Sequence, residues 1–385
     1  MLKVCLDGTP LRGKLSGIGV YTLNIIASLA KLQETEYFEL EIYFHPSVKN
    51  WFLRNFSIPH FLTYYPQVSI LPIPVTIADV LAKYPNPILS HFEGYLNKPN
   101  IIHGTDHYVY PYRKSRKIMT IHDLTFLKYP QYSTTIVQGY LERIKRCLTW
   151  TDLIITFSKS TKQDIIECFN INPERVQITY EASRYSSNEI ELDKIELLKK
   201  SIDYDFSIPY LLFVSTIEPR KNVIALIKAF DYLKEQHKIP HNLILIGKKG
   251  WKYQSSFKAI KNSKYQQSIY YLNYLSDELL AFFYAQTEAF IYPSFYEGFG
   301  LPVLEAMTLG SPVITSNTSS LPEIAGDAAL LINPNDFLEL AEAILKVISD
   351  SQLRKELTKK GKERAKSFSW ERTAQETFKA YQFIN

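Results

Sequence analysis

Cysteine is scarce in this chain, with three among 385 residues, at positions 5, 147 and 168. The number is odd and the spacing is not metal-like, which suits buried thiols in a reducing cytosol. No run of eighteen apolar residues occurs, so no transmembrane helix is expected. A signal-peptide hydrophobic segment is also missing: Leu2-Lys3-Val4-Cys5-Leu6-Asp7 enters a strand at once, and a cytoplasmic location is expected. Low-complexity tracts and short-period repeats are absent. The basic residues come without an aromatic-and-basic binding motif, so nucleic acid is not an expected partner.

The length points to two domains. Hydrophobic content of 46% and charged content of 22% are those of a soluble globular protein. Residues 1–185 carry 20 Lys and Arg against 15 Asp and Glu, so the net charge of +5 belongs to the N-terminal half. Its clusters are Arg113-Lys114-Ser115-Arg116-Lys117 and Arg143-Ile144-Lys145-Arg146. A solvated surface is the first reading of them. Contact with anionic lipid headgroups, or with a lipid-diphosphate acceptor, is the second. Tyr (27) and Phe (22) are abundant, mostly for packing, with some available to stack on sugars.

Apolar strands alternate with helical stretches, which predicts α/β domains with parallel sheets. The first half offers strands at Val4–Asp7, Phe38–Phe44, Val68–Leu71, Ile101–His103, Ile118–His122, Leu153–Ser158 and Val176–Tyr180. Helices are expected over Val20–Lys31 and about Val137–Trp150. A polar, charged stretch follows, and the alternation restarts at Tyr210–Ser215. Further strands are expected at Asn242–Ile246, Ser268–Leu272, Ala289–Tyr292, Pro312–Thr315 and Ala329–Ile332. Asp336-Phe337-Leu338-Glu339 reads as a capping box. The expected domains are 1–185, a linker at 186–206, 207–366, and a terminal amphipathic helix at 367–385.

Glu297-Gly298-Phe299-Gly300-Leu301-Pro302-Val303-Leu304-Glu305 is the densest candidate site. It joins the strand at Ala289–Tyr292 to an apolar helix through a glycine loop. Such a helix start offers backbone N–H groups to an anionic or hydroxyl-rich ligand. Glu305 stands among Val303, Leu304, Ala306 and Met307, too apolar a setting for an unpaired carboxylate. In Glu218-Pro219-Arg220-Lys221-Asn222, two cations open a helix, where the macrodipole disfavours them. They imply an anion nearby, to which Arg offers a fork and Lys a point charge. Gly17 and Gly19, in Ser16-Gly17-Ile18-Gly19, permit close approach of the backbone to a ligand. Dinucleotide binding competes for that loop, but Thr22 stands where the full motif needs its third glycine. His122 ends a strand, where α/β sheets place ligand residues, or is a hydrogen-bonded structural histidine. His103 and Asp106 are secondary candidates. By residue type, His103, Asp106 and His107 also suit a metal.

The run from Tyr292-Pro293-Ser294 through Glu305-Ala306-Met307, with Gly310-Ser311-Pro312-Val313-Ile314 and Ser320-Leu321-Pro322-Glu323-Ile324-Ala325-Gly326-Asp327-Ala328-Ala329, resembles a known signature. It is similar to that of retaining nucleotide-sugar glycosyltransferases of the GT-B fold. More narrowly it resembles family 4, which includes mannosyl- and glucosyltransferases of cell-surface glycans. The resemblance covers nearly the whole chain. It implies two Rossmann-like domains facing across a cleft, and no catalytic metal or other cofactor.

The same resemblance implies roles. Arg220 and Lys221 match the phosphate-binding pair. Gly17 and Gly19 would contact donor phosphate or acceptor. His122 would touch the donor sugar, with Asp123 orienting it or binding acceptor. Glu297 would hold sugar hydroxyls, helped by the amides of Gly298, Phe299, Gly300 and Leu301, and Glu305 would bind ribose. The base would lie near Gly247 and Leu272, where Asn273 departs from the usual glycine. A front-face displacement with retained configuration is implied. The expected reaction moves a hexose from a nucleotide diphosphate sugar to a saccharide or lipid-linked saccharide. GDP-mannose is the first donor reading and UDP-glucose the next. The acceptor would dock on loops within 45–100, and the basic N-terminal domain would touch the inner face of the membrane. A glycoside hydrolase with two carboxylates would not need the Arg220-Lys221 clamp. A sugar-nucleotide epimerase and a non-catalytic sugar-nucleotide-binding protein are the other readings.

Overall fold

Among the described residues the chain forms two all-parallel sheets, one of seven strands and one of six. The computed structural model describes residues 1–12, 17–65, 67–83, 87–132, 135–186, 199, 202 and 204–385. Most of the expected linker, 186–206, and Ser16 lie outside the described residues. The first compact unit comprises Met1–Lys128, Thr135–Glu181 and Ser369–Asn385, and the second Tyr129–Thr134 and Ala182–Phe368. Among the described residues no helix is long and apolar enough to cross a membrane.

The first sheet holds β1 (Leu2–Asp7), β2 (Phe38–Phe44), β3 (Val68–Ile70), β4 (Ile101–Gly104), β5 (Arg116–Thr120), β6 (Leu153–Thr156) and β7 (Val176–Ile178). Their order is β3-β2-β1-β4-β5-β6-β7. Val4, Leu6, Ile101, Ile102, Ile118, Leu153 and Ile154 are buried, as expected of strands covered on both faces. β5 stops at Thr120, so His122 lies two residues beyond the strand instead of ending it. The first long helix, Gly17–Leu32, starts earlier than expected and takes Gly17 and Gly19 into its first turn. Cys5 and Cys147 are buried, but Cys168 is exposed on the Lys159–Phe169 helix, contrary to the expectation of three buried thiols.

The terminal helix, Trp370–Ile384, is capped by the Ser369 hydroxyl, which accepts the Arg372 N–H at 3.2 Å. It packs within the first unit. Phe378 lies 4.7 Å from Phe38 between ring centroids, and Trp370 lies 6.4 Å from Tyr21. Its Tyr381 hydroxyl meets His103 Nδ1 at 2.8 Å, and His103 Nε2 meets Thr120 Oγ1 at 2.8 Å. His103 is fully buried with both ring nitrogens committed, so it anchors the terminal helix and is not a site residue.

The second sheet holds β8 (Tyr210–Val214), β9 (Asn242–Ile246), β10 (Ile269–Leu272), β11 (Ala289–Tyr292), β12 (Val313–Ser316) and β13 (Ala329–Ile332). The order is β10-β9-β8-β11-β12-β13. In each sheet the order reverses beside the first strand, between β1 and β4 and between β8 and β11. At such a point the following loops diverge and leave a crevice at the carboxyl ends. The capping box opens the helix Phe337–Ser349: Asp336 accepts the N–H groups of Leu338 and Glu339 at 2.9 and 3.1 Å. Glu339 reaches the Asn333 N–H at 3.1 Å instead of that of Asp336, whose N–H already binds the Asn333 carbonyl.

Candidate functional site

In the second unit, side chains converge at the reversal point between β8 and β11. After β8 the chain makes one tight turn, Pro219–Lys221, and Asn222 (φ 58°) starts the helix Val223–His237. Asn tolerates that left-handed conformation, and its side chain holds the Pro334 carbonyl at 2.7 Å. The turn brings Arg220 and Lys221 to the loop that follows β11. Lys221 Nζ lies 2.5 Å from Glu297 Oε1 and 2.8 Å from the Tyr292 hydroxyl. Arg220 donates through Nη1 to Glu297 Oε2 and to the Tyr296 carbonyl, both at 2.8 Å, and through Nε to Glu218 Oε1 at 2.7 Å.

Glu297 is nearly sealed from water. Its Oε1 also accepts from the Ser294 hydroxyl at 2.6 Å and the Tyr292 hydroxyl at 3.0 Å. Burial alone would push this carboxyl up. The charges of Arg220 and Lys221, with hydrogen bonds from Lys221 and Ser294, outweigh burial and hold it down at about 2. Burial, and then the neighbouring Arg220, push the Lys221 ammonium down, with Glu297 opposing. Burial pushes Glu218 up against the pull of Arg220. Two cations and two carboxylates thus balance in one buried cluster, where any unmatched charge would be costly.

The loop 293–300 is held at both ends. The Glu297 N–H donates to Ser319 Oγ at 2.9 Å, and the Ser320 hydroxyl meets the carbonyls of Glu297 and Phe299 at 2.9 and 2.7 Å. Phe299 packs on Phe368, with ring centroids 5.9 Å apart. Gly300 (φ 114°) caps the helix Leu301–Leu309 in a conformation that side chains disfavour. In its first turn Pro302 has no N–H, and the Val303 and Leu304 N–H groups bind the Gly300 carbonyl at 2.9 and 3.2 Å.

Glu305, on the same helix, is a separate cluster. Its Oε1 accepts Arg184 Nε at 2.8 Å and its Oε2 the Tyr284 hydroxyl at 3.3 Å. Arg184 also pairs with Asp277 at 3.0 Å. Burial pushes the Glu305 carboxyl up, and Arg184 counters it. Gly247 and Leu272 meet at the carboxyl ends of β9 and β10, where the Gly247 N–H donates to the Leu272 carbonyl at 3.0 Å. Gly247 (φ 144°) passes so close to β8 that a Cβ would lie 1.9 Å from the Ser215 carbonyl oxygen.

In the first unit, His122 Nε2 lies 2.8 Å from the Thr105 carbonyl oxygen. A carbonyl only accepts, so Nε2 carries the proton. Burial, and then the nearby His107, hold the imidazole down at about 4. The ring is therefore neutral at pH 7 and Nδ1 is an acceptor. Tyr21, on the helix that begins with Gly17 and Gly19, abuts it edge-on at 5.3 Å, and Phe157 at 4.9 Å. Asp123 Oδ1 accepts the Thr125 N–H at 2.9 Å and so caps the short helix that follows, while Thr105 orients His122.

The basic clusters differ in setting. Arg116 pairs with Asp152 at 3.1 Å, while Arg143 turns inward between Tyr108 and Tyr140. Among the described residues no group of three His, Cys, Asp or Glu is placed to hold a metal ion.

The structure thus joins Arg220, Lys221 and Glu297 directly, and sets Glu305 apart with Arg184. Sequence reasoning missed the parts of Glu218, Arg184, Asp277 and Ser319. Glu218 adjoins the recognised pair, so its place in the motif was the available signal. Arg184 lies 121 residues from Glu305, and no local pattern marks it.

A family model described as "Glycosyl transferases group 1" matches residues 196–364. The O-antigen chain mannosyltransferase B of Escherichia coli is 33% identical over 393 residues, covering 100% of both chains. Among solved structures, sucrose-phosphate synthase from Thermosynechococcus elongatus matches with a TM-score of 0.71 at 19% identity, over 100% of this chain and 99% of that one. Anabaena HepE in complex with UDP and glucose matches with a TM-score of 0.72 at 16% identity, over 99% of this chain and 100% of that one.

Proposed function

Because this chain belongs to the group 1 glycosyl transferases, we propose that it transfers mannose from GDP-mannose to a saccharide or lipid-linked saccharide during cell-surface glycan synthesis. UDP-glucose is the second donor. The cluster of Arg220, Lys221 and Glu297 carries this reading: a diphosphate is the ligand that calls for a fork and a point charge side by side. The arriving diphosphate takes over donors now shared with Glu297. In the transition state Arg220 and Lys221 stabilise the charge that builds on the leaving phosphate. No metal has a part in this reading.

Glu297 positions the two cations, and its Oε2 keeps room to accept one sugar hydroxyl. Four donors and a carboxyl held at about 2 make it a poor nucleophile. This favours front-face displacement with retention, in which the leaving phosphate accepts the acceptor proton. Glu305 turns from Arg184 to the ribose hydroxyls, and the base lies by Gly247 and Leu272. His122 accepts a sugar hydroxyl at Nδ1. A lipid-linked acceptor would place the reaction at the inner membrane face, with the exposed Arg113 and Lys114 as the contact.

Thermal shift with GDP, UDP, GDP-mannose and UDP-glucose tests the donor, since a ligand of the folded state stabilises it by mass action. Stabilisation by GDP and GDP-mannose is expected, and none by any of the four sinks the reading. A glycosyl-enzyme adduct on Glu297, seen by mass spectrometry, would replace front-face displacement with a covalent intermediate.

A further inference from the structure

The first unit holds a cavity of about 530 Å³. Its lining includes Glu41 of β2, Ser69 of β3, Gln67 just before β3, and Tyr95, Asn97 and Lys98 before β4. The volume falls within the ~300–1,000 Å³ of small-molecule sites. The strands are parallel, so the segments that lead into β3 and β4 lie at their amino ends, whereas His122 follows the carboxyl end of β5. The cavity therefore does not belong to the end of the sheet that carries His122.

Glu41 is the unusual member. It stands in β2 between the buried Leu40 and Ile42 and is itself only 9% exposed. A carboxylate in that setting is costly unless its oxygens are met. Protein donors meet them in part: Oε1 accepts the Ser69 hydroxyl, and Oε2 the Asn97 N–H at 3.2 Å. A carboxylate offers about four acceptor positions, so these bonds leave about two for a ligand.

The loop that faces β2 and β3 is held in place without a ligand. Glu93 accepts the N–H groups of Arg113, Lys114 and Ser115 at 3.1, 3.0 and 3.1 Å, and Leu96 is buried in the core. Tyr95 packs on Phe92, with ring centroids 6.0 Å apart, yet stays 53% exposed. A large aromatic surface is thus left open beside the polar groups.

The lining selects the ligand by its chemistry. The carboxylate of Glu41 opposes an anion, and the ammonium of Lys98 opposes a cation. The amides of Gln67 and Asn97 each donate and accept, as a sugar hydroxyl does. A ring such as that of Tyr95 covers apolar C–H surface. A neutral pyranose offers hydroxyls and a C–H face together. We propose that Glu41, Gln67, Tyr95 and Asn97 form a second saccharide site, for a neutral pyranose, apart from the reacting centre. Its use, to tether the acceptor glycan and so raise its effective concentration, rests on the glycosyl-transfer reading; its affinity for sugar does not.

The test uses the whole chain, saturated with GDP, and titrates methyl α-mannopyranoside and methyl α-glucopyranoside by saturation-transfer NMR, with inorganic phosphate as the contrasting probe. At least one pyranoside is expected to bind the wild type and His122→Ala alike. Its affinity is expected to fall about fivefold or more in Tyr95→Ala, as for loss of an aromatic contact. In Glu41→Gln it should fall about tenfold or more, as for loss of a hydrogen bond to a charged group. The GDP-induced thermal shift should stay at the wild-type value in both. If Glu41→Gln does not fold, the exposed Tyr95 decides alone. Unchanged affinity in Tyr95→Ala overturns the site, as does displacement of the pyranoside by phosphate or the absence of any pyranoside binding. Loss of binding in His122→Ala would also overturn it, by assigning the sugar to the reacting centre. Failure of GDP and UDP to stabilise the wild type would instead sink the glycosyl-transfer reading and leave the sugar site standing.

Discussion

Nζ of Lys221 stands 2.5 Å from Oε1 of Glu297, a buried ion pair between two loops 76 residues apart. The carboxylate that seemed destined for the sugar is first the counter-ion of the cations destined for phosphate.

Glu297→Gln therefore strips Lys221 of its carboxylate and leaves Arg220 with Glu218 alone. Breaking a buried pair from one side costs about 3–5 kcal/mol. Denaturant unfolding is expected to show a loss of that order, together with loss of transfer. GDP should raise the melting temperature of the variant by more than it raises that of the wild type, because its phosphates supply the missing charge. An equal or smaller shift would mean that the diphosphate binds elsewhere.

Acid should expose the same pair. The folded Glu297 carboxyl is held at about 2, below the ordinary 4.5. Its stabilisation is complete above 4.5 and is lost as pH falls from there through 2. Stability measured against pH should fall less steeply in this window for Glu297→Gln than for the wild type.

His122 is expected to act neutral. Its imidazole sits at about 4 rather than 6.5. The rate–pH profile of transfer should show no inflection near 6.5, and His122→Ala should lower kcat by about a hundredfold or more, the usual reach of a positioned side chain at the reacting groups. An inflection near 6.5 that vanishes in His122→Ala would show the ring titrating during turnover.

Asp7 carries the opposite sign. Burial, opposed by hydrogen bonds from Thr9, raises its carboxyl from 3.8 to about 6. The folded state binds that proton more tightly, so the contribution of Asp7 to stability is highest below 3.8, falls as pH rises to about 6, and is level beyond. Asp7→Asn should melt higher than wild type above that window and equally below 3.8, by calorimetry. An unchanged melting point in alkaline buffer would contradict the buried charge.

Gly247→Ala should fail sterically. The added Cβ would meet the Ser215 carbonyl at 1.9 Å with φ at 144°. A destabilisation of about 1–3 kcal/mol is expected from backbone strain alone, measured by urea unfolding, with weaker nucleotide binding.

Among the described residues all thirteen strands were legible from local apolar runs, unbroken where both faces are covered, as in β8, and interrupted by polar residues in others, as by Glu39 and Glu41 in β2 and Ser69 in β3. Their ends were less so: β5 stops before His122, and a helix turn absorbs Gly17 and Gly19. Arg220, Lys221 and Glu297 were readable as chemistry, since cations at a helix start and carboxylates beside a glycine loop stand out without knowledge of their neighbours. Their partners were not readable. Glu297 finds Lys221 across 76 residues, Glu305 finds Arg184 across 121, and His103 finds Tyr381 across 278. Sequence periodicity decides which stretches become strands and helices, because backbone preference and one-sided burial act locally. The order of strands in each sheet decides which loop ends become neighbours, and the cost of an unpaired buried charge then settles which side chains must meet.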